Sequence, residues 1–173
     1  VPCAVGTVPA GSFLPGLAIA HGAIRVDPES CGSPGDVLHE AGHVACTPAR
    51  FREAMDGDVG ACIKAILDAD PAGGTAPPDQ AEHAALFHNE QVAIAWSYAA
   101  LCRLGLPPEV VFYPGTYGHP PGQAPAGMVM MLQSGFAPGI VHLARLGLTD
   151  EPVRFVGDAV PECPFPAMRR WLL

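Results

Sequence analysis

Glycine or proline interrupts this chain so often that its longest run free of both is Asp79 to Leu104. In a helix interior, proline costs about 3 kcal/mol and glycine about 1 kcal/mol relative to alanine. A fold made from this chain must therefore rely on one long helix and on short elements joined by turns. The 20 glycines and 20 prolines are spread among apolar segments, and 49% of the residues are hydrophobic. A chain of 173 residues with that apolar content can bury one core without staples, so a single ordered domain over residues 1–173 is expected.

Charge narrows the partners. Charged residues are 15% of the chain, against about a quarter in an average domain. Nine basic and 17 acidic residues leave a net charge of −8, and Lys64 is the only lysine. Nucleic acid and anionic lipid both require a basic stripe, so neither is expected as a partner. No apolar run reaches membrane-spanning length, and Val1-Pro2-Cys3 has no cationic signal-peptide start. The six cysteines are scattered without a C-x-x-C pair. They read as reduced thiols, several of them buried, which points to a cytoplasmic address.

The order of elements follows from breakers and periodicity. Residues 1–16 read as an irregular lead-in, and Leu17 to Val26 (LAIAHGAIRV) as a strand with a bend at Gly22. Apolar residues at 37, 38, 41, 44 and 45 mark a buried helix opened by Ser33-Pro34 and closed by Pro48. Pro48 to Ala69 is helical in pattern, weakened by Gly57 and Gly60, and a loop follows over Pro71 to Pro78. Asp79 caps the longest helix, which runs to about Leu104 and stops at Gly105. Residues 106–125 hold six prolines and form an ordered loop, with a short strand at Val110 to Tyr113. Two short helices, Ala126 to Gln133 and Gly139 to Leu146, and a strand at Val153 to Val156 complete the expectation of a helix-dominated α+β domain.

Residues 39–43 are His39-Glu40-Ala41-Gly42-His43, an H-E-x-x-H. On a helix, positions i and i+4 lie on one face a turn apart, so both imidazoles can bind one Zn²⁺. Glu40 is then placed to take a proton from a metal-bound water. A chain of this composition carries the pattern by chance in about 1% of cases. Gly42 is a poor helix residue, and its place between the histidines is explained if another backbone packs closely there.

On these residues the chain resembles the zincin metallopeptidases, with the close likeness confined to residues 37 to 46. The resemblance implies a zincin-like fold with a small sheet beside the active-site helix, and an edge strand, here LAIAHGAIRV, able to bind an extended peptide. A catalytic zinc site keeps an open position beside three protein ligands. The gluzincin branch takes its third from a glutamate in a second helix, in N-E-x-x-x-D or E-x-x-A-D. Asn89, Glu90 and Ala93 fit those patterns and Glu90 becomes the candidate third ligand. Ile94 departs from them, where the family has an aspartate that orients a ligand histidine.

Glu82, His83 and His88 are rivals for that third position. Cys46 is not, because ligands at i, i+4 and i+7 span about 10 Å of helix axis. An oxyanion donor is sought among Tyr113, Tyr117 and His119 in the Pro-rich loop and His142 on the late helix. His21 reads as structural. The resulting expectation is a Zn²⁺-dependent, peptidase-like hydrolase acting on a peptide or small amide, with His39, His43 and Glu90 as ligands and Glu40 as general base. Fe, Co, Mn or Ni also suit this donor set. The alternatives are a metal-binding module of the same scaffold without turnover, favoured by Ile94, and a metal-free helical domain with carboxylate-paired histidines.

Overall fold

The computed structural model describes residues 1–69, 76–152 and 160–173. It is a helix-dominated α+β arrangement, with a three-stranded sheet packed against one end of a helical core. The sheet holds β1 (Cys3–Val5), β2 (Leu17–Ala20) and β3 (Ala23–Val26) in the order β1-β3-β2. The helices are α1 (Pro34–Ala45), α2 (Val59–Leu67), α3 (Gln80–Phe87), α4 (Asn89–Leu104), α5 (Ala126–Gln133) and α6 (Pro138–Arg145).

Helix α4 is the centre of this fold. Val92, Ala93 and Ala95 through Leu101 are buried, and α1 and α6 pack on its two sides. Its small side chains allow backbones to approach closely. A Cβ built on Gly42 of α1 would lie 2.8 Å from the Ala93 carbonyl oxygen and 3.1 Å from the Ala93 Cα. The glycine inside the H-E-x-x-H is therefore the crossing point of α1 and α4, as its poor helix propensity suggested. Phe112, Leu132, Ile140, Leu143 and Leu148 fill the core around α4. Ile19, Val44, Phe51, Met55, Ile66 and Leu86 form a second cluster between the sheet, α1 and α2.

Several expectations are corrected. The lead-in over 1–16 contains β1, which pairs in parallel with β3. LAIAHGAIRV is a hairpin rather than one bent strand. Ala20 pairs with Ala23, and His21 and Gly22 both take positive φ (49° and 71°), as a two-residue turn requires. His21 is exposed at that turn. The span from Pro48 to Ala69 divides into a 3-10 turn at Ala49–Ala54 and α2, parted by Met55 to Asp58. The longest helix is two: Asp79 does cap α3, in a reciprocal capping box with Glu82, but His88 at φ −99°, ψ 15° separates α3 from α4. Gly105 ends α4 in the left-handed conformation as read.

Val110 to Tyr113 is not a strand; a 3-10 turn at Pro108–Val110 leads into turns. All six cysteines are free, but Cys46 alone is buried. The expected strand at Val153 to Val156 and most of the loop after Pro71 lie outside the described residues. Among the described residues no single helix is long and apolar enough to cross a membrane; α5 and α6 pass only as a pair bent by 43°.

Candidate metal centre

The N-terminus of α1 is fixed by Ser33, whose hydroxyl accepts from the Gly35 amide at 3.1 Å, with Pro34 at the first helical position. That start sets the helix phase, which turns His39 and His43 toward α4. The α3–α4 break places Asn89 and Glu90 in the first turn of α4, where helix-dipole charge favours a carboxylate. The contact at Gly42 and Ala93 then brings the Glu90 turn against the two histidines.

Three donor groups converge there. His39 Nε2 and His43 Nε2 are 3.1 Å apart. Glu90 Oε2 is 3.2 Å from His43 Nε2, and Glu90 Oε1 is 3.6 Å from His39 Nε2. A tetrahedral zinc with bonds near 2.0–2.1 Å holds its donors roughly 3.3 Å apart. The observed spacings straddle that value, so the donor set and its geometry suit a small divalent ion. Among the described residues, this is the one group of three or more His, Cys, Asp or Glu whose donor atoms lie within 4.8 Å of one another.

Asn89 is the functional residue that motif reading named without giving it a task. Its side chain is buried (1% exposed), and Oδ1 lies 2.6 Å from His43 Nδ1. Its Nδ2 donates to the His43 carbonyl at 3.2 Å, with the Thr47 hydroxyl at 3.5 Å. Because Nδ2 faces a carbonyl, Oδ1 must be the atom facing Nδ1, which therefore carries a proton. Nε2 is the atom that faces Glu90: protonated it donates to that carboxylate, and deprotonated it presents the lone pair that a ligand needs. Thr47 completes the arrangement by donating to the same His43 carbonyl at 2.8 Å. An asparagine immediately before the candidate glutamate was the only sequence signal for this role.

Charge in the cluster is uneven. Burial disfavours charge on His43, but the Glu90 hydrogen bond, nearby Glu40 and Asn89 outweigh it and raise its pKa. Those imidazoles hold the Glu90 carboxyl well below its usual range against partial burial. Glu40 is 7% exposed, and burial raises its pKa although both histidines pull it down. A carboxylate so placed takes up a proton more readily than a surface one.

The other candidates have separate destinations. Tyr117 Oη lies 3.3 Å from His39 Nδ1, and the two rings meet edge to face. Burial, then Glu90 and Asp36, push the Tyr117 phenol up, so it stays protonated. Tyr113 donates to Asp36 Oδ1 at 2.9 Å and is pushed up to about 12 by burial and by Asp36. His119 Nδ1 lies 3.3 Å from the Tyr117 carbonyl and does not line the cleft. His142 stacks on His88 at 3.8 Å, against a separate small pocket. Of the rivals to Glu90, Glu82 holds Arg50, His83 stacks near Phe87 and His88 is taken up by His142. Cys46 is fully buried, its thiol pushed up by desolvation.

The cluster forms the floor of a cleft of about 580 Å³. Phe13 and Phe87, both largely exposed, stand at its walls with Ile63, Val59 and Val111, while Asp36, Glu40 and Asp58 are its other charged lining residues. Glu40 also lines a second cavity of about 320 Å³ that runs along β2. That strand is a sheet edge, but the Gly57 amide already donates to the Ile19 carbonyl at 2.9 Å and Leu17 to Leu14 at 3.2 Å. Only a short part of the edge is left to pair with an added strand. No family model, curated protein or solved structure matches the chain.

Proposed function

We propose that this protein is a zincin-like, zinc-dependent hydrolase of peptide or related amide bonds. The observation that carries the reading is the convergence of His39, His43 and Glu90 beside Glu40 on the floor of one cleft. His39 and His43 through Nε2 and Glu90 through its carboxylate would hold the ion. When bound, the metal would supply Lewis acidity, bringing the pKa of a coordinated water toward 7.

The chain's own groups do the rest. Glu40 is the general base: it takes the proton of the attacking water on its carboxylate and returns it to the departing amine. Burial raises its pKa, so it takes up a proton more readily than a surface carboxylate. Tyr117 lines the cleft and keeps its hydroxyl proton, so it is the donor for the oxygen that becomes negative on the attacked carbonyl. Tyr113, whose hydroxyl is spent on Asp36, orders the cleft wall instead. Apolar walls and carboxylate lining favour an uncharged or cationic segment with an apolar side chain next to the broken bond. A cytoplasmic location fits the free cysteines.

The metal-binding module without turnover drew on Ile94, yet it leaves the buried Glu40 carboxylate without a task. The metal-free reading draws on the proximity of Glu90 to both imidazoles. Zinc reconstitution followed by metal analysis separates these. About one zinc per chain is expected, and Glu40→Gln should keep that stoichiometry while losing activity on a mixed peptide library. Sub-stoichiometric metal refutes the first two readings; a Glu40→Gln protein as active as the parent refutes the base assignment.

A further inference from the structure

A histidine that binds a metal through Nε2 carries its remaining proton on Nδ1, and that N–H requires an acceptor. For His43 the acceptor is Asn89. For His39 the only polar partner of Nδ1 among the described residues is the Tyr117 phenol, at 3.3 Å. Helix α4 provides none in the family's position, where Ile94 stands and packs on the core.

The loop around Tyr117 is shaped to deliver that oxygen. Tyr117 takes φ 52°, the left-handed region that costs a residue with a side chain of this size energy. The conformation is held by Thr116, which donates to the Tyr113 carbonyl at 2.7 Å, and by the His119 amide, which donates to the Thr116 carbonyl at 3.1 Å. The His119 ring meets the Tyr117 carbonyl on the other side, and the Tyr117 ring packs against Phe112. Backbone strain kept in place by this many contacts marks a side chain whose position matters.

Resting on the metal-site reading above, we propose that Tyr117 is the positioning residue of His39: its phenolic oxygen accepts the Nδ1 proton and so presents Nε2 to the ion. A phenol differs here from a carboxylate. It can donate as well as accept, so in the metal-free protein the same pair forms with the hydrogen reversed, Tyr117 donating to Nδ1 and Nε2 protonated. Metal uptake then needs no movement of either ring: Nε2 gives up its proton to solvent, Nδ1 takes one up, and Tyr117 keeps its own hydrogen and turns it away from Nδ1. A neutral acceptor also adds less basicity to the imidazole than a carboxylate does. It contributes toward the low end of the usual effect of such partners, and it leaves the phenolic hydrogen free to point into the cleft.

The test uses the full chain loaded with Co²⁺ or Zn²⁺, and the variants Tyr117→Phe and Tyr113→Phe. Tyr117→Phe keeps the ring and removes the acceptor. Zinc affinity, measured by competition with a chelating dye, should fall about 10-fold, within the 10–100-fold range for such partners. Tyr113→Phe should change it less than twofold. The cobalt protein supplies a signature that packing alone would not move. Wild type should show two shifted exchangeable Nδ1–H proton resonances, one from each ligand histidine, and the His39 resonance should show a cross-relaxation contact with the Tyr117 ring. In Tyr117→Phe the His39 resonance should broaden by solvent exchange while that of His43 persists. The proposal is overturned if Tyr117→Phe binds zinc as wild type does with both resonances retained. It is overturned equally if the wild-type His39 resonance has no contact with the Tyr117 ring, a measurement that needs no variant to fold. A wild-type protein that takes up no ion removes the metal-site reading itself, and this one with it.

Discussion

Replacing Gly42 by alanine sets two effects of opposite sign against each other. Alanine in a helix interior is worth about 1 kcal/mol over glycine, so α1 alone would gain. The added methyl, however, would lie 2.8 Å from the Ala93 carbonyl oxygen and 3.1 Å from its Cα, both backbone atoms that no rotamer change can move aside. Ordinary carbon–oxygen contact is roughly half an ångström longer, and the helices must separate to restore it. Overpacking of this kind costs about 1–3 kcal/mol. Clash should win over propensity, leaving the metal-free protein destabilised by up to about 2 kcal/mol, as read by urea unfolding in chelator. The separation has a second reading, because Glu90 precedes Ala93 by one turn and is carried away from α1 with it. Donor spacings of 3.1–3.6 Å would open on the Glu90 side, and zinc affinity should fall at least 10-fold. Gly42→Ala protein that is more stable than wild type and binds zinc equally well would show that close approach at Gly42 does not set the site.

Asn89→Ala should cost about 1–3 kcal/mol in urea unfolding of the metal-free protein, because the buried His43 carbonyl and Nδ1 both lose a partner. The same variant should weaken zinc binding 10–100-fold in dye competition; unchanged affinity would remove Asn89 from the site. Glu40→Gln should lower turnover by about 10²–10⁴-fold at constant zinc content, in a discontinuous peptide-cleavage assay with metal analysis of the same sample. Glu90→Ala should cost more zinc affinity than His83→Ala, and the reverse order would move the third ligand. Stability against pH should have opposite signs with and without metal. In the metal-free protein the raised His43 pKa means that its stabilising charge is present below the ordinary imidazole value and lost as pH rises through the raised one. Glu90, held low, contributes above the ordinary carboxylate range, and that contribution is lost as pH falls through its lowered value. Thermal midpoints in chelator should therefore decline as pH climbs above the ordinary imidazole value, whereas zinc-loaded protein should gain over that interval as protons cease to compete. Parallel pH profiles would contradict the coupling of His43 to Glu90.

What could be read from the sequence was what local geometry governs. The i, i+4 spacing puts His39 and His43 on one face of any helix that contains them, and Ser33-Pro34, Asp79 and Gly105 act on their own backbone neighbours. The low charge content of the chain made Glu40 and Glu90 stand out as carboxylates beside apolar runs. Such signals need no knowledge of the rest of the fold. The break at His88 had no glycine or proline to announce it, and the hairpin in LAIAHGAIRV depends on a histidine accepting positive φ.

Which surfaces meet was decided only by tertiary structure. Period and propensity give each helix its buried face, but several pairings of those faces would bury similar area. The close approach of Gly42 to Ala93 selects one, and with it the turn of α4 that faces the histidines. From that pairing follow the donor triangle, the Asn89 amide on His43, the Tyr117 phenol on His39 and the passing over of His83. Spacing along the chain already puts two imidazoles on one helical stripe, with a glutamate next to the first of them, because 3.6 residues per turn is a property of the backbone. What surrounds that stripe is set by contacts between residues far apart in the chain, whose geometry no local pattern encodes.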